Sequence, residues 1–264
     1  MLPTKESKTN QDAYTIISNF CCSQPSWFFG VFDGHGVNGH NVSNYIKAIL
    51  PQNIEQEHRN RLIQHSPTLT NPSFETSSTG SSNNGSNSNT KCKGICSSNK
   101  KDVIDLIMES FRKTTAALAT EKSIDATFSG TTAVTVVLSG DSLYCANLGD
   151  SRAVLSSIRT NSPSGGKQSN YWVATPISRD HKPDDDYETK RIIKCGGRID
   201  SFRDCDDQPV GPSRVWLQDE NIPGLAMSRS FGDKVAASVG VISEPGNKMT
   251  KKLYTRGWTK TISS

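Results

Sequence analysis

Long apolar runs are missing from this chain: none approaches the roughly 20 residues that a helix needs to cross a bilayer, so no spanning helix is expected. Strong charge of one sign is missing too. Lys and Arg number 30 against 26 Asp and Glu, a net +4 that the stretch carrying Lys248, Lys251, Lys252, Arg256 and Lys260 largely explains. Such a balance points to neither nucleic acid nor a membrane surface as partner. A cysteine framework is also absent. The seven cysteines, Cys21, Cys22, Cys92, Cys96, Cys145, Cys195 and Cys205, are odd in number and irregular in spacing, with no secretory leader ahead of them. Reduced thiols and a cytoplasmic or nuclear setting are expected. Cys92 and Cys96 have the spacing of half a zinc site, but no second pair accompanies them and surface thiols are the simpler expectation. Acidic residues run out early as well: Glu244 is the last of them.

What is present suits one interrupted domain, since 264 residues can bury one sizeable core and nothing demands a second. From Ser66 to Thr90 the composition is Ser, Thr, Asn, Gly and Pro except for Leu69, Phe74 and Glu75. That stretch lacks the apolar surface to offset its ordering entropy, so a disordered insertion is expected at about 66–100. Two helical patterns flank it. Val42, Tyr45, Ile46 and Ile49 form the first, and Ile104, Ile107, Met108, Phe111, Thr115 and Leu118 the second. Strand chemistry follows: Thr132–Ser139 and Ser142–Leu148 joined by a turn predict a hairpin, with further strands at Arg152–Ser156 and Tyr171–Ala174 completing an antiparallel meander. A short helix is expected after Pro183, with Glu188 as capping-box partner of Asp185 and Gly196-Gly197 as its stop.

The richest stretch is Phe28-Phe29-Gly30-Val31-Phe32-Asp33-Gly34-His35-Gly36, where an apolar strand delivers a carboxylate, two glycines and a histidine to one sharp turn. A carboxylate there can bridge hard cations, and a histidine can move protons. An Asp-Gly turn alone closes many plain hairpins. Four further segments follow in order: Ser129-Gly130-Thr131-Thr132-Ala133-Val134, Ala146-Asn147-Leu148-Gly149-Asp150-Ser151-Arg152-Ala153, Asp180-His181-Lys182-Pro183, and Leu225-Ala226-Met227-Ser228-Arg229-Ser230-Phe231-Gly232-Asp233. Together these five resemble the metal-dependent protein serine/threonine phosphatases of the type 2C family, with matches from about Asn10 to Pro245.

The resemblance implies an α+β fold, a four-layer α/β/β/α sandwich with two central antiparallel sheets flanked by helices, here truncated. The family-like domain is placed at 1–245, incomplete at its C-terminal side and with an opening strand in question, and 246–264 is read as a basic tail that does not match. The implied activity is hydrolysis of phosphoserine and phosphothreonine in proteins by a metal-activated water, with Mg2+ or Mn2+ as cofactor: two ions, and a third, weaker one. Phosphorylated proteins would be the partners, and the chain is expected to be a monomer.

Residue by residue, the resemblance implies that Asp33 bridges both ions, that the Gly34 carbonyl is a further oxygen ligand and that His35 is the general acid. Asp150 would lie near the additional ion. Gln11 and Asp12 stand where the family usually has Glu-Asp, so Gln11 offers an amide oxygen in place of a carboxylate. Lys8 is the nearest cation to the place of the family's phosphate-binding arginine, and a solvated surface lysine is the equal alternative. Asp180, His181 and Asp233 are read as architectural. The family completes its metal site with two further aspartates downstream of the Ser243-Glu244-Pro245 match, for which this chain has no counterpart. The alternative function is therefore an impaired or inactive pseudophosphatase that binds phosphoproteins or regulates an active relative.

Overall fold

The structure, a computed structural model, describes residues 9–22, 25–64, 100–140, 142–161, 169–246 and 251–252. Lys8, Cys92, Cys96 and the Ser/Asn-rich insertion up to residue 99 lie outside them.

The organising strand is β2 (Ser26–His35), which pairs antiparallel with β1 (Asp12–Ser18) on one side and β4 (Ala133–Ser139) on the other. The expected hairpin is present, β4 returning as β5 (Ser142–Leu148). At its C-terminal end β2 also pairs with β3 (Gly130–Thr131), and β3 with β11 (Phe231–Gly232). A two-residue strand β12 (Lys251–Lys252) on β5 completes a seven-stranded sheet.

Pleating sends alternate residues to opposite faces. On one face Phe28 and Phe32 are fully buried against α1 (Gly39–Gln64) and α2 (Lys100–Thr120). The stripes lie partly off the expected residues, since Tyr45, Ile49, Ile104 and Met108 are only half-buried: those helices bury Val42, Ile46, Leu50 and Ile54 from α1 and Val103, Ile107, Phe111 and Leu118 from α2. Each such large side chain stabilises the fold by about 1.5–3 kcal/mol. The opposite face carries Tyr14, Ile16, Trp27, Phe29 and Val31, and among the described residues it is largely uncovered, Tyr14 being 68% exposed.

Two details differ from the sequence expectation. Asp33, Gly34 and His35 do not sit in a turn: β2 runs through His35, held by the Gly34–Thr131 and His35–Gly130 register, and the chain bends at Gly36, whose φ is +82°. The meander also divides. Gly149, at φ +95°, turns the chain away from β5, so that β6 (Val154–Asn161) and β7 (Ser169–Pro176) pair only with each other among the described strands. A third antiparallel sheet, β8 (Gly197–Arg203), β9 (Pro209–Leu217) and β10 (Pro223–Leu225), packs with α3 (Asp186–Lys194) and the short α4 (Lys234–Ala237) around Ile192, Val215, Leu225 and Val241. Antiparallel sheets and helices thus make up the molecule as expected.

Candidate active site

Strand pairing builds the site. Asp12 stands directly opposite Asp33 in the β1–β2 register, so two carboxylates share one face, an arrangement that costs stability unless something between them compensates. With Thr9, Asn10, Gln11, Gly34, His35 and Gly36 they line an open cleft of about 520 Å³. Thr132 fixes Asp33 from the side: its Oγ1 accepts from the Asp33 N–H at 3.0 Å, and its own N–H donates to the Asp33 carbonyl at 3.0 Å. The same hydroxyl shares a 2.7 Å hydrogen bond with Ser151, which brings the Asp150 loop alongside. Partial burial, then the charges of Asp12 and Asp150, raise the pKa of Asp33 above its ordinary value. Lys182 meets Asp150, Nζ to Oδ2, at 2.5 Å.

Gly34 has no room for a side chain, because a Cβ would lie 2.4 Å from the Gly39 carbonyl oxygen and 2.7 Å from that of Gln11. Gln11 folds back on the following turn. Its Nε2 donates to the Gly36 carbonyl at 3.0 Å, while Oε1 is buried without a partner.

His35 is held from beneath. Its Nε2 lies 2.7 Å from Asp233 Oδ2, with the Asp233 side chain only 4% exposed. Burial by itself would lower the histidine's pKa; the hydrogen bond and charge of Asp233, with Asp33 and Asp150 behind them, reverse that and raise it. Nδ1 is buried with no partner.

Hard oxygen donors, mutually repelling and met among the described residues by the Lys182 ammonium group, are the electrostatics of a site that suits a divalent cation. The residues fit Mg2+ or Mn2+ in chemical type. Among the described residues, no group of three or more His, Cys, Asp or Glu side chains closes on one point.

A family model described as Protein phosphatase 2C matches residues 4–254. The chain belongs to the protein phosphatase 2C family. The match runs past Pro245, into the segment that contains β12. A probable protein phosphatase 2C 73 of Arabidopsis thaliana is 36% identical over 245 residues, 91% of this chain and 57% of the relative. A probable protein phosphatase 2C 75 of Oryza sativa subsp. japonica is 35% identical over 251 residues, 92% of this chain and 54% of the relative. The chain thus spans about half the length of the curated relatives it matches. In fold it resembles the crystal structure of a serine-threonine phosphatase 2C from Toxoplasma gondii, with a TM-score of 0.63 at 19% identity, covering 93% of this chain and 69% of that one.

Within this protein phosphatase 2C chain, the structure brings Asp12, Asp33, Gly34 and His35 together around one cleft, with Gln11 in its wall and Asp150 close enough to affect Asp33. Lys8 lies outside the described residues. The architectural reading of Asp180 and His181 agrees with their contacts: Asp180 takes a two-pronged bond from Arg152, at 2.9 and 2.7 Å, and His181 Nδ1 accepts from the Gly149 N–H at 3.1 Å. Burial and the nearby Arg229 hold His181 down at about 4, so it is neutral at pH 7.

Glu188 is not the capping partner expected of it. Asp185 caps α3 alone, accepting from the Tyr187 N–H, and Glu188 turns inward to Arg229, Arg191 and Ser228 at 2.5–2.7 Å. Burial would raise its pKa, but the two guanidinium groups and the hydroxyl bring it down to about 2. Sequence reading also missed the contacts of Lys182 and Asp233. The available signal was the position of Asp233, directly after a glycine in a run whose other charged residue is Arg229.

Proposed function

We propose that this chain acts on phosphoserine and phosphothreonine in proteins as a metal-dependent phosphatase. Support comes from family membership and, above all, from one juxtaposition: a histidine clamped by a buried carboxylate at 2.7 Å, beside the cleft that carries Asp12 and Asp33. Cleaving an alkyl phosphate needs an attacking water, charge balance on the phosphoryl oxygens and a proton for the departing alkoxide.

Asp33, Asp12, Asp150 and the Gly34 carbonyl would hold Mg2+ or Mn2+, two ions with a third, weaker one near Asp150. Bound there, the ions supply an ionisable water at neutral pH and neutralise phosphoryl charge. Thr132 keeps Asp33 at its station through both backbone bonds. Lys182 holds Asp150 until a cation competes for it. His35, whose pKa burial would lower but the hydrogen bond and charge of Asp233 raise, donates to the leaving oxygen. Phosphorylated proteins are the substrates, and the cytoplasm or nucleus is the proposed setting, with the chain a monomer.

The test is turnover of a phosphothreonine peptide by the purified chain with manganese titrated upward. Because no three anionic ligands converge among the described residues, half-maximal activity is expected at manganese on the order of millimolar, and Asp33→Ala is expected to abolish it while the fold persists. Metal-independent turnover, or turnover indifferent to Asp33→Ala, overturns the reading.

A further inference from the structure

Asp233 is costly to place. It is a non-glycine residue in the left-handed region, φ +47°, with its carboxylate buried. Conformations of this kind persist only where the surroundings over-determine them. Here they do: the Asp233 N–H donates to the Ser129 carbonyl at 2.9 Å, and Ser230 Oγ donates to Oδ2 at 2.5 Å. Gly130 clears the space, since a Cβ there would lie 2.1 Å from Oδ2. Behind Asp233, Phe231 is fully buried and stacks on Phe111 at 5.4 Å, anchoring the segment to α2. All of this converges on one contact, His35 Nε2 at 2.7 Å.

An ionised carboxylate only accepts, so Nε2 carries the proton in that bond. The other nitrogen, Nδ1, is shielded from water and bonded to nothing. Orphaned buried nitrogens are rare and call for a reason.

Resting on the phosphatase reading for its catalytic meaning, the geometry points to Asp233 as the positioning residue of His35. It fixes the ring's orientation and its tautomer, leaving Nδ1 as the nitrogen whose proton is free to leave. In the step this serves, the P–O bond to the serine or threonine oxygen breaks and its electron pair goes to that oxygen. The Nδ1 proton follows, and the imidazole is left neutral with Nε2–H still donating to Asp233. The logic is that of an acid or base oriented by a third group. Ser230 and Gly130 act one step further back, on Asp233 itself.

The ring can be read without turnover. In the full chain labelled with 15N-histidine, without metal and at a pH high enough for the ring to have lost one proton, long-range 1H–15N spectra should show His35 with a protonated Nε2 and a bare Nδ1, its signals identified by their loss in His35→Gln. Asp233→Asn should invert or average that pattern, and Ser230→Ala should shift it in the same direction by less. A wild-type neutral ring that averages its tautomers or carries its one proton on Nδ1 overturns the proposal, even if Asp233→Asn does not fold.

A second arm compares leaving groups. An alkoxide needs the proton far more than a nitrophenolate does. Asp233→Asn should therefore lower kcat on a phosphothreonine peptide on the order of a hundredfold and lower it much less on p-nitrophenyl phosphate, with KM little changed. Equal losses on both substrates, or a loss confined to KM, overturn the positioning role. A wild-type chain with no turnover at any manganese concentration sinks the phosphatase reading instead, and the ring spectrum still decides whether Asp233 positions His35.

Discussion

Asp33 and Glu188 are carboxylates of one domain that the fold treats in opposite ways. Glu188 is buried more deeply, yet Arg229, Arg191 and Ser228 saturate its oxygens and hold it ionised down to about pH 2. Asp33 is more open to water, yet it faces Asp12 and Asp150, and its pKa rises. Burial opposes ionisation at both sites, so burial does not separate them. Completeness of partnering does. The Glu188 cluster joins α3, the segment before β11 and, through Arg229 to the Glu244 carbonyl at 2.9 Å, the stretch beyond it. Saturated charge serves architecture. At the cleft, charge is left over, and leftover charge of one sign is a demand for a ligand.

The largest expected effect breaks the saturated side. Glu188→Ala strands two guanidinium groups among the cluster's remaining contacts, and such removals cost about 3–5 kcal/mol, readable as a fall in the urea midpoint. Glu188→Gln should cost less, because it keeps hydrogen bonds while losing charge. A cost for Glu188→Ala below that of an average surface substitution would dissolve the contrast.

Acid should reach the two regions differently. His181, held at about 4 in the fold against 6.5 when free, stays neutral in the native state while the unfolded chain takes up a proton, so stability falls as pH drops from about 6.5 towards 4. Glu188, at about 2 against 4.5, contributes stability that is full above about 4.5 and drains towards pH 2. Each window is worth roughly 3 kcal/mol. His181→Asn should remove the upper window and leave the lower one; loss of stability in one step near pH 4 in the wild type would contradict this.

Deleting residues 66–90 is the control that touches neither region. Shortening a link by that much raises stability by about 1 kcal/mol or less through loop-closure entropy, and thermal melts should show no loss. The smallest effect belongs to Asp33→Asn without metal. A carboxylate whose folded pKa is raised penalises the native state at neutral pH, so the substitution should raise the melting temperature slightly, and the gain should vanish as pH falls below about 4. Added manganese should stabilise the wild type and leave Asp33→Asn unmoved. A variant that melts lower than the wild type at pH 7 would show that the charge at Asp33 is partnered after all.

Much of the fold was legible because it depends on local pattern. β-Branched and apolar runs about a Ser-Gly-Asp turn gave the β4–β5 hairpin, and 3.6-residue spacing gave the helices α1 and α2 with part of their buried stripes. Asp33, His35 and Asp150 were legible as candidates because ordered motifs carried them. What pairs with them was not. Asp233 is 198 positions from His35, Arg229 is 41 from Glu188, and Lys182 is 32 from Asp150. No periodicity records side-chain partners that far apart. Glu188 misled for a related reason: its spacing from Asp185 fits a capping box, and Arg229 from a distant segment, with Arg191 one turn along the same helix, takes its carboxylate instead. The turn expected at Asp33-Gly34-His35 failed likewise, because pairing with β3 extends the strand.

Two glycines set a limit of another kind. At Gly34 the nearest obstacles to a Cβ are two main-chain carbonyl oxygens, and at Gly130 they are the Asp233 carboxylate at 2.1 Å and the Phe231 carbonyl at 2.5 Å. Neither position has an acceptable neighbour in sequence space, since even alanine, the least change a codon can make there, collides with atoms that cannot step aside. In a saturation library selected for function these columns should come back empty. Lineages that drift freely along the surface would remain tethered at these two points, where heredity is held by a single missing methyl group.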